Sequence, residues 1–188
     1  QIISKGHNFP FLKTVGILNI DSILNDFDFR SSEKAYQQIT QVAGRAGRKD
    51  LHGEVFIQTY QPNHPVIKSS INSDYEGFVN YELIERKKSF LPPFSSFISI
   101  IINSTNEVKA KDYGLNLRNI IKEKFPNIVL FGPSPSVIFK QNRVFRYRML
   151  IKLKKNSKSN SIFKSFLTKI TSPNGVKIYI DVDPISFT

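Results

Sequence analysis

The sequence predicts a mixed α/β chain that divides into two units at a proline-rich turn. Residues 14–60 alternate strand and helix patterns, whereas residues 96–188 follow the order strand, helix, strand, strand, helix, strand. Between these parts, Pro92 and Pro93 exclude a continuous helix, because proline has no amide hydrogen and restricts the residue before it. With 188 residues, 40% of them hydrophobic, the chain can bury one sizeable core or two small ones, and we expect two.

The first unit is predicted to contain a strand, a helix and a second strand. Residues 14–20 (TVGILNI) are apolar and β-prone, and residues 21–30 are predicted to be a loop. Ser32 is the expected N-cap of a helix that continues to Gly47, with Glu33 in its first turn. Residues 54–60 (EVFIQTY) then predict the second strand.

A connecting helix is predicted over residues 74–88, where apolar side chains recur at three-residue spacing. The members of this partial stripe are Tyr75, Phe78, Tyr81 and Ile84. The LPPF sequence at residues 91–94 ends the helix. We therefore expect residues 1–62 to form one part, residues 63–95 a connector, and residues 96–188 a C-terminal α+β domain.

The C-terminal domain is predicted to have the split βαβ order of ferredoxin-like folds. Its predicted strands span residues 97–103, 128–131, 145–153 and 176–182. Its predicted helices span residues 107–124 and 161–170, and residues 132–135 (GPSP) are predicted to break the second strand. This architecture hosts many functions, so it assigns none by itself.

The charge balance points to a polyanionic partner. Lys and Arg number 27 against 15 Asp and Glu, which gives a net charge of +12, and nucleic acid is the first candidate. No membrane association is predicted, because the longest largely apolar run, residues 97–102, is far too short to span a bilayer. The absence of cysteine excludes disulfides and fits a reducing cytoplasm. The three histidines lack ligand spacing, so no metal site is expected.

The most specific string is QVAGRAGR at residues 41–48. Two glycine-preceded arginines, Arg45 and Arg48, would suit a site where a transferring phosphoryl group needs fixed positive charge. A solvated basic helix end, where arginine complements the helix dipole, is the alternative interpretation. The string resembles motif VI of superfamily 2 helicases. That resemblance implies that Arg45 and Arg48 are catalytic, reaching the γ-phosphate of ATP across the cleft between two RecA-like lobes, with Gln41 lining the same cleft.

A second string, KGHNFP at residues 5–10, resembles motif V of the same superfamily. The resemblance implies a nucleotide-binding role for Gly6, which permits a tight turn, and for Asn8, which faces the nucleotide. Many relatives carry Asp where this chain has Asn8, so the negative charge is absent. Taken alone, the hexapeptide is compatible with an ordinary loop.

Further blocks extend the resemblance over essentially the whole chain. They include GEVFIQTYQPNHP, DYEGF, LPPF, FGPSPS, RYR and DVDPIS. In order and spacing they resemble the C-terminal part of the PriA (primosomal protein N′) family of replication-restart helicases. Residues 1–62 would then be part of the second RecA-like helicase lobe, with motifs V and VI.

The resemblance implies an ATP-dependent 3′-to-5′ DNA helicase, a hydrolase that recognises stalled or branched forks and assembles the primosome. Branched and single-stranded DNA, primosome proteins and single-strand-binding proteins are the implied partners, in the bacterial cytoplasm at the nucleoid. The implied cofactors are ATP with Mg, bound mainly by a lobe upstream of these residues, and zinc, bound only in an upstream insertion. The chain contains no Walker A or Walker B motif, so we expect it alone not to hydrolyse ATP, and we expect it to be part of something longer.

A cluster of cations in the C-terminal domain is the predicted nucleic-acid site. Its members are Lys140, Arg143, Arg146 and Arg148. Because strand residues alternate faces, Arg146 and Arg148 share one side, and Phe145 and Tyr147 are predicted to point to the core. A solvated strand face is the alternative for the cations.

The sequence also contains two aspartates near its end and is compatible with two other functions. Asp181 and Asp183 are predicted to be structural residues at a strand end. A non-enzymatic nucleic-acid-binding module and an RNA helicase relative remain alternative functions. The glycine-spaced arginines favour the helicase over a pure binding module.

Overall fold

The computed structural model describes residues 12–26, 28–46, 53–155 and 158–185. The chain separates into two compact units, residues 1–88 and residues 89–188. The architecture is mixed α/β, with a small parallel strand pair in the first unit and a four-stranded antiparallel sheet in the second. Within the described ranges, no helix is both long enough and apolar enough to cross a membrane.

The first unit surrounds a short parallel pair with helices. Its elements are β1 (Thr14–Ile17), α1 (Asp21–Leu24), α2 (Ser31–Ala43), β2 (Glu54–Ile57), α3 (Pro65–Ile71) and α4 (Tyr75–Lys88). Its core joins β1, α2, α3 and α4, and Tyr36 stacks on Phe78 with ring centroids 4.3 Å apart. Burial of this apolar surface is the main force that holds the short elements together.

The predicted strands of this unit are correct in place but too long. The first ends at Ile17 and the second at Ile57, instead of at residues 20 and 60. Asp21 begins a helical turn where a loop was predicted, and its carboxylate accepts hydrogen bonds from Thr59 Oγ1 at 2.9 Å and the Tyr60 amide at 3.1 Å. These hydrogen bonds hold the residues after each strand in positions where they no longer pair as β-strands.

The predicted N-cap of α2 is wrong. The helix begins at Ser31, the N-cap position is Arg30, and no side chain caps it. Asp28 instead fixes the residues just before the helix. Its carboxylate accepts hydrogen bonds from the Arg30 amide at 3.0 Å and from Lys34 Nζ at 2.7 Å. Glu33 lies in the first turn, as predicted.

Helix α3 was not predicted. Pro65 occupies the first turn, where proline is favoured, and His64 Nδ1 accepts a hydrogen bond from the Val66 amide at 3.3 Å. The next helix, α4, is confirmed within one residue, and Asp74 Oδ1 accepts from the Gly77 amide at 2.8 Å at its start.

The predicted apolar stripe of α4 is only partly correct. Phe78 is buried, whereas Tyr75 and Ile84 are 63% and 55% exposed. Glu82 and Arg86 are buried instead, because Arg86 forms 2.9 Å ion pairs with Glu82 and with Glu33 of α2. A charged pair therefore joins α2 and α4 in addition to the apolar contact of Tyr36 with Phe78.

The second unit has the predicted order of elements. They are β3 (Ser95–Ser104), α5 (Glu107–Lys124), β4 (Val129–Gln141), β5 (Val144–Lys154), α6 (Lys158–Leu167) and β6 (Val176–Val182). The sheet order is β4-β5-β3-β6, with every neighbouring pair antiparallel. Both helices contribute to one core against the sheet, through residues such as Leu117 and Phe163.

Two boundaries in this unit were predicted wrongly. Strand β4 continues to Gln141, although Gly132, Pro133 and Pro135 were predicted to end it at residue 131. Because β4 is an edge strand, its prolines can stand where no ladder hydrogen bond is needed, and the register shifts around them. Helix α6 spans residues 158–167 instead of 161–170.

The structural role predicted for Asp183 is confirmed. Its Oδ1 accepts from the Phe97 amide at 3.0 Å, and its own amide donates to the Phe97 carbonyl at 2.7 Å. Asp181 is exposed on β6. No group of three or more His, Asp or Glu residues in the described ranges is placed to hold a metal ion.

Candidate functional site

The arginine motif begins at the C-terminal end of α2. Gln41 is exposed on the last helical turn, and Arg45 is half-buried in the turn that follows. The helix was predicted to reach Gly47, but it ends at Ala43 with Gly44 as its C-cap, because glycine has low helix propensity. The Arg45 amide donates to the Val42 carbonyl at 3.0 Å, so Arg45 belongs to a tight turn and not to a helical face.

Three residues of the predicted nucleotide site, Gly6, Asn8 and Arg48, lie outside the described residues. The structure therefore describes only Gln41 and Arg45 of that site, at the end of α2 and in the turn that follows. A neutral amide and a permanent cation at one helix end fit a contact with a phosphate group. They do not form a phosphate cradle.

A cavity of about 430 Å³ lies beside Gln41 in the first unit. It is lined by Ser22, Ile23, Asp26, Lys34, Gln37, Gln38 and Gln41. Lys34 Nζ lies 2.7 Å from Asp28 and 3.9 Å from Asp26, so its charge is already balanced by two carboxylates. The amides of the three glutamines remain the groups best able to contact a polar ligand there.

The four cations predicted to bind nucleic acid divide into two pairs. Lys140 and Arg143 are exposed at the tip of the β4-β5 hairpin. The turn residues Asn142 and Arg143 have φ of 52° and 63°, the signature of a type I′ turn. Asparagine tolerates this conformation, but for arginine it costs about 1–2 kcal/mol. A long cation is thus held at the tip in an unfavourable backbone conformation.

Arg146 and Arg148 lie farther along β5, on the face of the sheet opposite the helices. Both are half-buried, and their Nε atoms are buried without a hydrogen-bond partner within the described ranges. Burial lowers the pKa of Arg148 from its usual value. Arginine keeps its charge in proteins, so the Nε of Arg148 is a buried donor of a cation without an acceptor in the described part of the chain.

The aromatic residues between these cations mostly pack inward. Tyr147 is 5% exposed and belongs to the core, which confirms its predicted position. Its hydroxyl donates to Glu107 Oε1 at 3.2 Å, and burial, followed by the Glu107 charge, raises its pKa. The half-buried Phe145 contacts Lys140, whose Nζ lies 4.5 Å from the ring centroid. The hairpin aromatics therefore hold the cations and are poorly placed to stack on bases.

Sequence reasoning missed three residues on the arginine-bearing face. Asn103 of β3 pairs with Arg146 on one side and with Lys177 of β6 on the other. Tyr179 of β6 shares this face and is 53% exposed. A signal existed: Lys177 and Tyr179 alternate with Ile178 and Ile180, and Asn103 interrupts an isoleucine-rich strand.

A family comparison covers most of the second unit. Residues 87–185, more than half of the chain, match the family described as "Primosomal protein N C-terminal domain". The chain belongs to the PriA family. The predicted resemblance is therefore confirmed, and it extends over the full chain at about 35% identity to the C-terminal region of PriA.

Three relatives illustrate the extent of the similarity, and each is named "Replication restart protein PriA". The protein of Rickettsia conorii is 35% identical over 187 residues, which cover 100% of this chain and 28% of the relative. The Bacillus subtilis protein is 34% identical over 188 residues, 98% of this chain and 23% of the relative. The Chlamydia pneumoniae protein is 37% identical over 187 residues, 99% of this chain and 25% of the relative. The chain thus spans about a quarter of the length of these PriA relatives.

Proposed function

We propose that this chain is the C-terminal part of an ATP-dependent 3′-to-5′ DNA helicase that recognises stalled or branched replication forks and restarts replication. The observation that carries the proposal is the family match combined with a basic hairpin whose exposed tip holds Lys140 and Arg143. Cations on a protruding hairpin can approach phosphates without rearrangement of the sheet. Branched and single-stranded DNA, primosome proteins and single-strand-binding proteins are the proposed partners, in the bacterial cytoplasm.

The three proposed parts of the chain have different tasks. Residues 1–62 contribute to the second RecA-like helicase lobe, residues 63–95 connect, and residues 96–188 bind DNA. The parallel β1-β2 pair supports the first assignment, as does the exposure of the large apolar side chains Leu18 and Phe56, at 78% and 60%. Large apolar side chains exposed on a small sheet are typical of a face that packs against further elements. The β4-β5-β3-β6 order supports a ferredoxin-like domain for the third part.

Arg45 and Arg48 are the proposed catalytic residues of the intact enzyme, with Gly6, Asn8 and Gln41 near the nucleotide. ATP with Mg supplies the reactive phosphoryl group when it is bound mainly by the upstream lobe. The half-buried position of Arg45 supports a role in which a guanidinium contacts phosphate from outside that lobe. The chain alone, without Walker A and B motifs, is expected not to hydrolyse ATP.

The nucleotide part of the proposal is tested in a protein that includes the ATP-binding lobe. Arg45→Ala should lower DNA-stimulated ATP turnover by about 10³-fold or more, as for other arginines that stabilise transferring phosphoryl groups, with little change in DNA affinity. Lys68→Ala, at an exposed lysine of α3, is the matched control and should leave turnover unchanged. Equal loss of turnover and DNA affinity in Arg45→Ala would count against the assignment.

A second candidate is a non-enzymatic nucleic-acid-binding module, favoured by the four-stranded sheet and core of the second unit. Both candidates require the hairpin to bind DNA. The double variant Lys140→Ala/Arg143→Ala should weaken forked-DNA binding by about tenfold and reduce the salt slope by about two phosphate contacts. Lys109→Ala/Lys111→Ala, at exposed lysines of α5, removes the same charge elsewhere and should have a smaller effect. Equal losses of affinity in the two double variants would mean that net charge, and not the position of the cations, determines binding.

A further inference from the structure

The sheet of the second unit has one face that lies opposite the core formed with α5 and α6, the two helices described in that unit. Helices α5 and α6 both pack into one core with the alternate residues Ile98, Ile100 and Ile102 of β3. The residues between them, Ser99, Ile101 and Asn103, project to the other side. We call this other side the open face, defined by Ser99, Ile101, Asn103, Arg146, Arg148, Lys177 and Tyr179.

Strand pairing arranges the open face in two adjacent rows. In the first row, Asn103 lies between Arg146 and Lys177. In the second row, Ile101 lies between Arg148 and Tyr179. Two strand spacings separate β5 from β6, or about 10 Å. Cations therefore border a strip that contains an amide, an aliphatic side chain and an exposed aromatic ring.

Several polar atoms of this strip are buried without a hydrogen bond in the described part of the chain. They are Arg146 Nε, Arg148 Nε, Asn103 Oδ1 and Ser99 Oγ. Buried polar atoms in native proteins almost always have a partner, so groups that lack one within the chain call for a partner from outside it, such as an ordered water or a bound ligand. The two guanidinium donors require an acceptor such as a phosphate oxygen, and the Asn103 oxygen requires a donor such as a base amino group.

The β6 end of the strip opens into a cavity of about 500 Å³. Asn103, Lys177, Tyr179 and Val144 are among the residues that line it. The Tyr179 ring is 53% exposed, so one side of it is accessible to a flat partner. Aromatic rings on four-stranded sheets are a general means of stacking unpaired bases.

We propose that the open face binds an unpaired nucleic-acid strand, with phosphates at Arg146, Arg148 and Lys177 and one base stacked on Tyr179. The proposal rests on the proposed function and deepens it, because it assigns the single-stranded arm of a fork to a surface separate from the hairpin tip. A duplex does not fit, since its stacked bases offer no face to Tyr179. The exposed Asp181, two residues farther along β6, repels phosphate and limits the strip at that end.

The first test is binding of the 188-residue chain to a fluorescent twelve-nucleotide oligo-dT, measured by anisotropy at fixed salt. Tyr179→Ala should weaken binding about 5- to 150-fold, the range for loss of one base stack, and Tyr179→Phe should retain it. Tyr60→Ala is the matched control, because Tyr60 is 93% exposed in the other unit. The affinity for plain duplex should be unchanged in all three variants.

A second test uses the unmodified chain and so does not depend on how any variant folds. An oligo-dT that contains 5-iodouracil is irradiated on the chain, and the adduct is located by peptide mass spectrometry. The peptide that contains Tyr179 should carry the adduct. Adducts confined to the hairpin tip, residues 139–145, would overturn the open-face proposal.

The outcomes separate this inference from the function on which it rests. If Tyr179→Ala binds oligo-dT normally while Lys140→Ala/Arg143→Ala loses fork binding, the open face is not the strand site and the proposed function stands. If the unmodified chain binds neither fork nor oligo-dT, both proposals fail. Weaker oligo-dT binding in Tyr179→Ala with rescue by Tyr179→Phe supports stacking at this position.

Discussion

Within the described residues, the two sheets of this molecule differ in the number and length of their strands. The first unit pairs two parallel strands of four residues each and leaves Phe56 60% exposed. The second unit joins four antiparallel strands of 7 to 13 residues over one core. In the first unit, side-chain contacts such as Asp21 with Thr59 and Arg86 with Glu33 supplement this small sheet.

The two units are therefore expected to lose stability through different kinds of substitution. A large continuous core gives stability that one truncated side chain reduces strongly, because the cavity adds to the lost burial. Two helices joined through a buried ion pair are destabilised when one partner is removed, because the other charge stays buried.

The largest effect is expected in the core of the second unit. Phe163 is fully buried and meets Phe125 edge-on, with ring centroids 5.0 Å apart. Phe163→Ala should destabilise this unit by about 4 kcal/mol. Amide hydrogen exchange should show faster exchange in β3 and β5 with little change in α2. Ile162→Ala, at a 64%-exposed neighbour, is the control and should change little.

The next effect is expected at the buried ion pairs of the first unit. Arg86→Met removes the partner of Glu82, whose side chain is 11% exposed, and should destabilise α2 and α4 by about 3 kcal/mol. Lys88→Met breaks the exposed pair with Glu85 on the same helix and should cost about 1 kcal/mol or less. Urea unfolding followed by exchange within each unit measures both. Equal effects of the two substitutions would contradict the importance of burial.

The hairpin tip should show opposite effects on stability and binding. Glycine adopts positive φ without strain, so Arg143→Gly should stabilise the second unit by about 1 kcal/mol. The same change removes a cation and should weaken fork binding several-fold. Thermal melting and anisotropy on one preparation measure both quantities. A loss of stability would show that Arg143 contributes contacts that outweigh its backbone strain.

The smallest effect concerns pH and the first unit. Burial lowers the pKa of His64 below its usual 6.5, although the charges of Glu82 and Asp21 partly oppose the shift. A group with a lowered folded pKa stabilises the protein above its unfolded pKa, and this stability is lost as pH falls from about 6.5 through the folded pKa. His64→Asn keeps a residue that can cap α3 and should remove this part of the pH dependence. Urea midpoints of both proteins between pH 7.5 and 5 test it.

Local patterns predicted part of this structure well. The helix Glu107–Lys124 and the strand Val176–Val182 have their predicted bounds, because capping and alternation are written in adjacent residues. The shared face of Arg146 and Arg148 also followed from alternation. The seven-residue α3 is too short for periodicity to reveal, although Pro65 was a usable signal.

Long-range geometry explains what the sequence did not reveal. The extension of β4 through its prolines depends on β4 being an edge strand, which only the strand order determines. The meeting of Asn103, Arg146 and Lys177 depends on the same order, since the three residues are far apart in the chain. The buried Arg86 could not be recognised without its partner Glu33 on another helix.

We propose that this PriA-family chain recognises the branch of a fork and does not merely attract DNA by its charge of +12. The most direct measurement is anisotropy binding of the 188-residue chain to a forked DNA and to a plain duplex of equal length across a salt series. We predict tighter fork binding that persists as salt weakens the phosphate contribution. Equal affinities that fall with the same steep salt slope would contradict the claim and leave only a basic surface.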